Sequence, residues 1–311
     1  MSLQQIAPGV VRMPVSIANV YFVGAKGTPW FLVDSGLPGY AEKIHQAAVE
    51  LFGDDAPPEF ILLTHGHFDH SGCSLQLAET WHVPIYAHQL ETPYLTELSP
   101  YPPKDPTVGG AMAFLSRFFP TKSTRLQPHL RELPRDGEVP GHPEWEWVFT
   151  PGHAPGHVSL YNAATRVLLA GDAFTTVDVD SPLALATKQS QISRPPAPFT
   201  CDWVRARESV RLLAKFRPEV VGCGHGEPMS GPDVRRELND FAVNFPMPEH
   251  GRYVPEPAQT DERGIRYVPP AAPDPLPKLL AAAGLTIGLI AIFMLKLKAN
   301  RQMLEPDSDL G

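Results

Sequence analysis

A short segment in the first quarter of the chain concentrates metal-binding side chains. His65, His67, Asp69 and His70 fall within six residues, in the sequence THGHFDH (64–70). Grouping three imidazoles and a carboxylate this closely costs hydration and brings polar groups into repulsive contact. A bound positive ion would compensate for this cost. Imidazole and carboxylate are ligands of zinc and similar divalent metals. The segment therefore predicts a metal site, and a zinc finger is excluded because no cysteine pair stands nearby.

Three more potential ligands come later in the chain. His153, Asp172 and His225 each follow a glycine, at the end of a stretch predicted to be a strand. Glycine permits a tight turn at such a position, and bound groups in α/β sheets lie at the carboxyl ends of strands. We therefore expect these three side chains to converge with the first four.

The elements around these residues are predicted to alternate between strand and helix, which indicates layered α/β architecture. Strands are predicted at Val20–Val23, Trp30–Val33, Glu59–Thr64, Pro84–Ala87, Trp145–Thr150, Val158–Tyr161, Val167–Ala170 and Val220–Cys223. Helices are predicted at Tyr40–Phe52, Ser74–Trp81 and Trp203–Lys215.

The order and spacing of the motifs resemble those of the metallo-β-lactamase superfamily, and most of all its glyoxalase II-like branch. The resemblance covers about residues 10–230 and includes Asp34, which ends an early predicted strand. It implies an α/β fold, the αβ/βα four-layer sandwich, with a metal centre of two divalent ions at one edge. Zinc is the expected metal, and iron and manganese are the alternatives.

The resemblance also implies a role for each motif residue. His65, His67 and His153 would hold the first metal, Asp69, His70 and His225 the second, and Asp172 would bridge them. Asp69 would also be catalytic, and Asp34 and His157 would support the ligands through hydrogen bonds. A hydroxide between the metals would be the nucleophile.

The substrate class stays open at the sequence level, because one fold hosts many reactions. The resemblance favours hydrolysis of an ester, thioester or lactone in a small molecule, and the apolar insertion described next indicates a lipophilic one. The alternative is a persulfide-dioxygenase-like oxidoreductase with a single iron. With a single iron, Asp69, His70 and His225 would have no second metal to hold.

An insertion at residues 93–128 interrupts the regular pattern, with a helix expected at Val108–Phe119. Long irregular segments are often functional loops. We expect a lid over the metal site, in which Phe118 and Phe119 contact an apolar substrate. A helix that merely completes the core is the competing interpretation.

Composition narrows the class of partner. The net charge of −8 counts against binding to nucleic acid. Three distant cysteines indicate no disulfide framework.

The end of the chain differs from the rest. Residues 1–245 are expected to form the catalytic domain, 246–278 a proline-rich linker, 279–297 a transmembrane helix and 298–311 a polar tail. A GxxxG pattern at 284–288 permits pairing of two such helices, and so a homodimer. Because the N-terminus does not resemble a signal peptide, we expect a cytoplasmic catalytic domain that the C-terminal helix tethers to a membrane.

Overall fold

The computed structural model describes residues 2–120, 125–187 and 189–274. Two β-sheets form its centre. The first has seven strands in chain order: β1 (Gln4–Ala7), β2 (Val10–Val15), β3 (Ala18–Val23), β4 (Phe31–Val33), β5 (Ile61–Leu62), β6 (Ile85–Ala87) and β7 (Leu130–Glu132). Strands β1 to β4 pair antiparallel, and β4 to β7 pair parallel.

The second sheet has six strands, in the spatial order β13-β12-β11-β10-β9-β8. They are β8 (Glu138–Val139), β9 (His142–Phe149), β10 (Val158–Asn162), β11 (Val167–Leu169), β12 (Val220–Gly222) and β13 (Met229–Ser230). Strands β11 and β12 pair parallel, and the other neighbours in this sheet pair antiparallel.

Eight α-helices lie in the described ranges. They are α1 (Ala41–Phe52), α2 (Phe68–Ser71), α3 (Ser74–Trp81), α4 (Thr92–Leu95), α5 (Ala111–Ser116), α6 (Pro182–Thr187), α7 (Trp203–Lys215) and α8 (Pro232–Val243). A 3₁₀ turn covers Ala197–Phe199.

Three hydrophobic clusters lie between neighbouring layers of the fold and hold them together. The first joins the outer face of the seven-stranded sheet to α1 and α3, and the second joins the six-stranded sheet to α7 and α8. The third lies between the sheets. Along β3, Val20 and Phe22 belong to the first cluster, whereas Tyr21 and Val23 belong to the third, because successive side chains point to opposite faces. This is the αβ/βα sandwich expected from the sequence, and it explains why its strands are continuously apolar.

The helix in the insertion is shorter than predicted. The expectation was a helix from Val108 to Phe119, but α5 covers only Ala111–Ser116. Gly109 and Gly110 have φ values of +88° and +90°, which a right-handed helix does not allow. Parts of the insertion also belong to the sandwich, since Leu126 lies in the first cluster and Val108 in the second.

Residues 246–274 differ from the extended linker that their prolines predicted. Strands β14 (Gln259–Asp261) and β15 (Gly264–Tyr267) pair as a hairpin, and the first compact unit runs to Ala271. Tyr253 is buried, and its hydroxyl donates to the carbonyl of Pro103 at 2.6 Å. The segment is ordered by contacts with the insertion, which local proline content does not report. No helix within the described ranges is long and apolar enough to cross a membrane. The transmembrane helix and polar tail expected at 279–311 lie outside those ranges.

Candidate metal centre

The loop after β5 and the loop after β9 bring the first three histidines together. His65 and His67 follow the buried end of β5, and His153 follows β9. One ligand atom of each lies within 4.8 Å of the others. Nδ1 of His67 is 3.0 Å from Nε2 of His153.

The single turn of α2 carries Asp69 and His70, which form a second group with His225 from the loop after β12. The ligand atoms of this group also lie within 4.8 Å of one another. Oδ2 of Asp69 is 3.5 Å from Nε2 of His225.

Asp172 lies between the two groups. Its Oδ2 is 3.4 Å from Nε2 of His153, 3.6 Å from Nε2 of His70 and 3.1 Å from Nε2 of His225. Glycine gives it room, because a Cβ at Gly224 would lie 2.1 Å from Asp172 Oδ1. One carboxylate therefore contacts histidines of both groups.

The distances around Asp172 fit those between ligands of one metal ion. Two ligands of a tetrahedral zinc ion, each about 2.1 Å from the metal, lie about 3.4 Å apart, close to the separations around Asp172. Nε2 of His65, Nε2 of His70 and Oδ1 of Asp172 are buried without a hydrogen-bond partner. Buried polar atoms are normally paired. Unpaired atoms on ligand-type side chains are what a metal site offers to its ion.

The protein fixes which ring nitrogen faces the centre. Nδ1 of His70 donates to Asp34 Oδ2 at 2.8 Å, and Nδ1 of His225 donates to the carbonyl of Ile17 at 2.7 Å. Two further rings follow the same rule: Nδ1 of His65 donates to Thr64 Oγ1, and Nδ1 of His153 to Thr200 Oγ1. Four rings therefore keep Nε2 as the ligand atom, since partners of this kind set the tautomer.

The two groups hold protons differently. Burial lowers the pKa of His67 to about 4 and lowers the pKa of His65 and His153 well below the ordinary value. These rings are neutral, which is the form that binds metal. Burial also lowers the pKa of His225, but the carboxylates of Asp172 and Asp69 outweigh it and raise that pKa to about 9.

His70 follows the pattern of His225, because its neighbouring carboxylates raise its pKa well above the ordinary value against the effect of burial. Burial raises the pKa of Asp172, but His225 and His70 outweigh it and hold that pKa well below the ordinary value. In the metal-free protein, protons on the second group therefore provide the positive charge that a metal would bring.

Asp34 and His157 support the ligands. Asp34 also accepts from the amide of Thr64 at 2.8 Å and from its hydroxyl at 2.8 Å, and it has a φ of +59°. This conformation is costly for a residue other than glycine, and it places the carboxylate under the metal-binding loop. Nε2 of His157 accepts from the amide of Asp172 at 2.8 Å, so that ring orients a ligand.

Reasoning from the sequence missed the residues that position the last ligand. Asn19 and Tyr21, on β3, donate to the carbonyl of Cys223 at 2.9 and 2.7 Å, and Asn19 also donates to the carbonyl of Gly226. These bonds hold both sides of the turn that carries His225. Such single polar residues, about two hundred positions away from their partners, have no local motif.

A cavity of about 810 Å³ opens above the metal-binding residues. His67, Asp69, His153, Asp172 and His225 reach its floor. One wall is apolar and consists of Phe68, Met112, Leu115, Phe119, Val179 and Phe199. The lining also includes the polar residues Gln4, Arg12, Asn19 and Glu227.

The two aromatic residues proposed for substrate contact have different positions. Phe119 lines the cavity and packs near Phe68, with ring centroids 5.7 Å apart. Phe118 is 75% exposed and does not line the cavity. Consecutive residues in a helical turn point in different directions, so this geometry supports a substrate contact for Phe119 only.

Comparisons with known proteins agree with this architecture. The family model described as the metallo-beta-lactamase superfamily matches residues 13–225. YflN of Bacillus subtilis (strain 168), named as a probable metallo-hydrolase, is 42% identical over 241 residues, which cover 76% of this chain and 91% of that protein. The hydroxyacylglutathione hydrolase GloC of Haemophilus influenzae is 28% identical over 141 residues, 45% of this chain and 59% of that protein.

Among solved structures, a metallo-beta-lactamase family protein of Thermus thermophilus matches with a TM-score of 0.51 at 26% identity. The match covers 78% of this chain and 80% of that one. The family model spans more than half of the sequence and includes every candidate ligand. The chain therefore belongs to the metallo-beta-lactamase superfamily, and it is a metal-dependent hydrolase of that superfamily.

Proposed function

We propose that the protein is a dinuclear metal-dependent hydrolase of esters, thioesters or lactones. The observation that carries the proposal is the position of Asp172, whose Oδ2 lies within 3.6 Å of ring nitrogens from both histidine groups. A carboxylate between two ligand sets is suited to two ions rather than one. His65, His67 and His153 would hold the first ion, and Asp69, His70 and His225 the second.

Two divalent ions supply a water of lowered pKa and polarise the substrate carbonyl. The protein residues have separate tasks. Asp34, Thr64, Thr200 and the carbonyl of Ile17 hold four imidazoles in one tautomer. Asp69 lies at the cavity floor, where its carboxylate exchanges protons with the reacting water.

The cavity favours an acyl substrate with an apolar part. The aromatic and aliphatic wall begins beside the metal-binding residues, so an apolar acyl chain can pack there while its carbonyl lies over the floor. The similarity to a hydroxyacylglutathione hydrolase puts acyl thioesters among the first compounds to test. The chain covers only part of that protein, so the glutathione portion is not carried over.

Metal analysis of the purified full-length chain tests the proposal. We expect about two divalent ions per chain, and hydrolysis of acyl thioesters, lactones or aryl esters that stops on chelation and returns when zinc or manganese is added. One iron per chain, with oxygen consumed in the presence of thiols or persulfides and no hydrolysis, would contradict it.

The C-terminal segment adds a proposal about location. Residues 279–297 are proposed to tether the catalytic unit to a membrane. Deletion of residues 279–311 should move the protein from the membrane fraction to the soluble fraction with unchanged turnover of a water-soluble substrate. Equal partitioning of the full and shortened chains would show that the segment is not an anchor.

A further inference from the structure

One fully buried glutamate connects the two loops that carry the first three histidines. Glu91 lies just before α4 and has no exposed surface. Its Oε2 accepts from the amide of Gly66 at 2.9 Å, and its Oε1 accepts from the amide of Gly156 at 2.7 Å. Gly66 stands between His65 and His67, and Gly156 stands in the loop after β9 that carries His153.

Tyr101, from the insertion, completes this connection. Its hydroxyl accepts from the amide of Gly66 at 2.9 Å and donates to Glu91 Oε2. Its ring lies against the ring of His67, with centroids 4.7 Å apart, and stacks on Tyr94 at 4.2 Å. The insertion thus contacts the metal-binding loop through Tyr101 as well as through the cavity wall.

Glu91 and Tyr101 pack so closely on Gly66 and Gly156 that neither glycine could be replaced by a residue with a side chain without a shift of its neighbours. A Cβ at Gly66 would lie 2.5 Å from the hydroxyl of Tyr101, and a Cβ at Gly156 would lie 2.8 Å from Cγ of Glu91. A buried carboxylate is costly unless hydrogen bonds compensate, and here the two amides and the Tyr101 hydroxyl do so. The contacts of Glu91 join the His65–His67 loop to the His153 loop, and none of them involves Asp69, His70 or His225.

We propose that Glu91 and Tyr101 are positioning residues that set the spacing of the first metal site, formed by His65, His67 and His153. The inference rests on the dinuclear centre proposed above. Neither residue belongs to the candidate ligand groups or to the cavity lining. Their effect passes through the two amides that they hold.

The variants Glu91→Gln and Tyr101→Phe separate this role from general stability. A glutamine offers one oxygen and one NH₂ group, so one of the two amides faces a donor instead of an acceptor. A phenylalanine keeps the ring against His67 but removes the hydroxyl that joins Gly66 to Glu91. We expect each variant to raise one of the two zinc dissociation constants about 10- to 100-fold, the range seen for outer-shell partners. The other constant should change by less than about 2-fold.

Cobalt gives a readout that a purely structural role would not change. Full-length protein is stripped of metal and titrated with Co²⁺, and the visible absorption that reports ligand geometry is followed at each equivalent. In both variants, the Co²⁺ absorption spectrum of one site should differ from that of the wild type, and the spectrum of the other site should not. Tyr161→Phe is the matched control, because this buried tyrosine donates to the carbonyl of Phe216 and to none of the ligand loops. It should lower the melting temperature without changing either constant or spectrum.

Folded variants with two unchanged constants and spectra would overturn the inference, as would equal weakening of both sites. If Glu91→Gln does not fold, Tyr101→Phe alone decides. If the wild-type chain binds two metal ions and the variants bind both ions as the wild type does, only this inference is contradicted. A wild-type chain that binds one metal contradicts the dinuclear proposal instead, and the inference is then judged on that single constant.

Discussion

Replacing Asp34 with asparagine should weaken the second metal site selectively. In the wild-type protein, Asp34 Oδ1 accepts from the amide of Thr64, and Oδ2 accepts from Nδ1 of His70. An amide side chain has only one oxygen. If its NH₂ group faces His70, that ring must become an acceptor at Nδ1 and carry its proton on Nε2, the atom that binds metal.

The other orientation of the asparagine is also unfavourable. Its NH₂ group would then face the amide of Thr64, and a buried donor left without an acceptor costs about 1–3 kcal/mol. The first arrangement keeps an acceptor for the amide of Thr64 and should therefore prevail. It should reduce metal affinity at the site of His70 about 10- to 100-fold, which corresponds to about 1.4–2.8 kcal/mol. The first site should keep its affinity within about 2-fold.

The assay is competition for zinc between the metal-free protein and a chromophoric chelator, which resolves two dissociation constants. Asp105→Asn is the matched control, since Asp105 is also buried and accepts from the amides of Thr107 and Arg252, away from the ligands. It should cost stability and leave both constants unchanged. The reasoning is refuted if folded Asp34→Asn binds both ions normally, or if the control loses metal to the same extent.

The site and its cavity lead to three further predictions. Phe119→Ala should raise KM for a medium-chain acyl substrate about 5- to 30-fold, because about 1–2 kcal/mol of apolar contact is lost, whereas Phe118→Ala should not; equal effects would contradict the assigned wall. The folded pKa of His225, about 9, lies above its unfolded value, so its proton stabilises the metal-free protein fully below about pH 6.5 and this contribution is lost as the pH rises through 9. Metal binding at the second site must displace this proton and that of His70, whose pKa is also raised. Calorimetry in buffers of different ionisation enthalpy should show that the second ion, but not the first, releases protons, and that its affinity rises by up to about tenfold per pH unit for each proton displaced. Gly224→Ala should abolish binding of two ions, as elemental analysis would show, because its Cβ would overlap Asp172.

The glycine prediction has its own control. Gly231 has a φ of +99°, but a Cβ there would have nothing within 4 Å. Gly231→Ala should therefore lower stability through backbone strain alone and retain two metal ions. Normal metal content in Gly224→Ala would mean that the loop shifts to make room.

The convergence of the candidate ligands could be predicted from the sequence because the pattern that indicates it is local. His65 to His70 share one loop and one helical turn, and each later ligand follows a strand and a glycine. The layered fold could be predicted for a similar reason, since strands such as β3 are apolar on both faces. These signals need no knowledge of which segments meet in space.

The features that could not be predicted depend on distant partners. Asn19 is an ordinary polar residue until the turn around Cys223 comes to lie beside it. The prolines after Phe245 do indicate a segment without regular helix, yet Tyr253 is buried because the insertion provides a pocket for it. The difference between Phe118 and Phe119 depends on where a short helix begins and ends, which glycines at positive φ influence at its start.

The hydrogen bonds from β3 and the turn before it to the segment around His225 have a consequence for synthesis of the chain. Ile17 and Asn19 bond to partners that are more than two hundred residues away, so the second ligand group cannot assemble until most of the polypeptide has left the ribosome. Contacts of such long sequence separation slow folding. An ion bound by Asp69, His70 and His225 would therefore be captured late in synthesis. It would link α2, which follows β5 of the first sheet, to the loop after β12 of the second sheet.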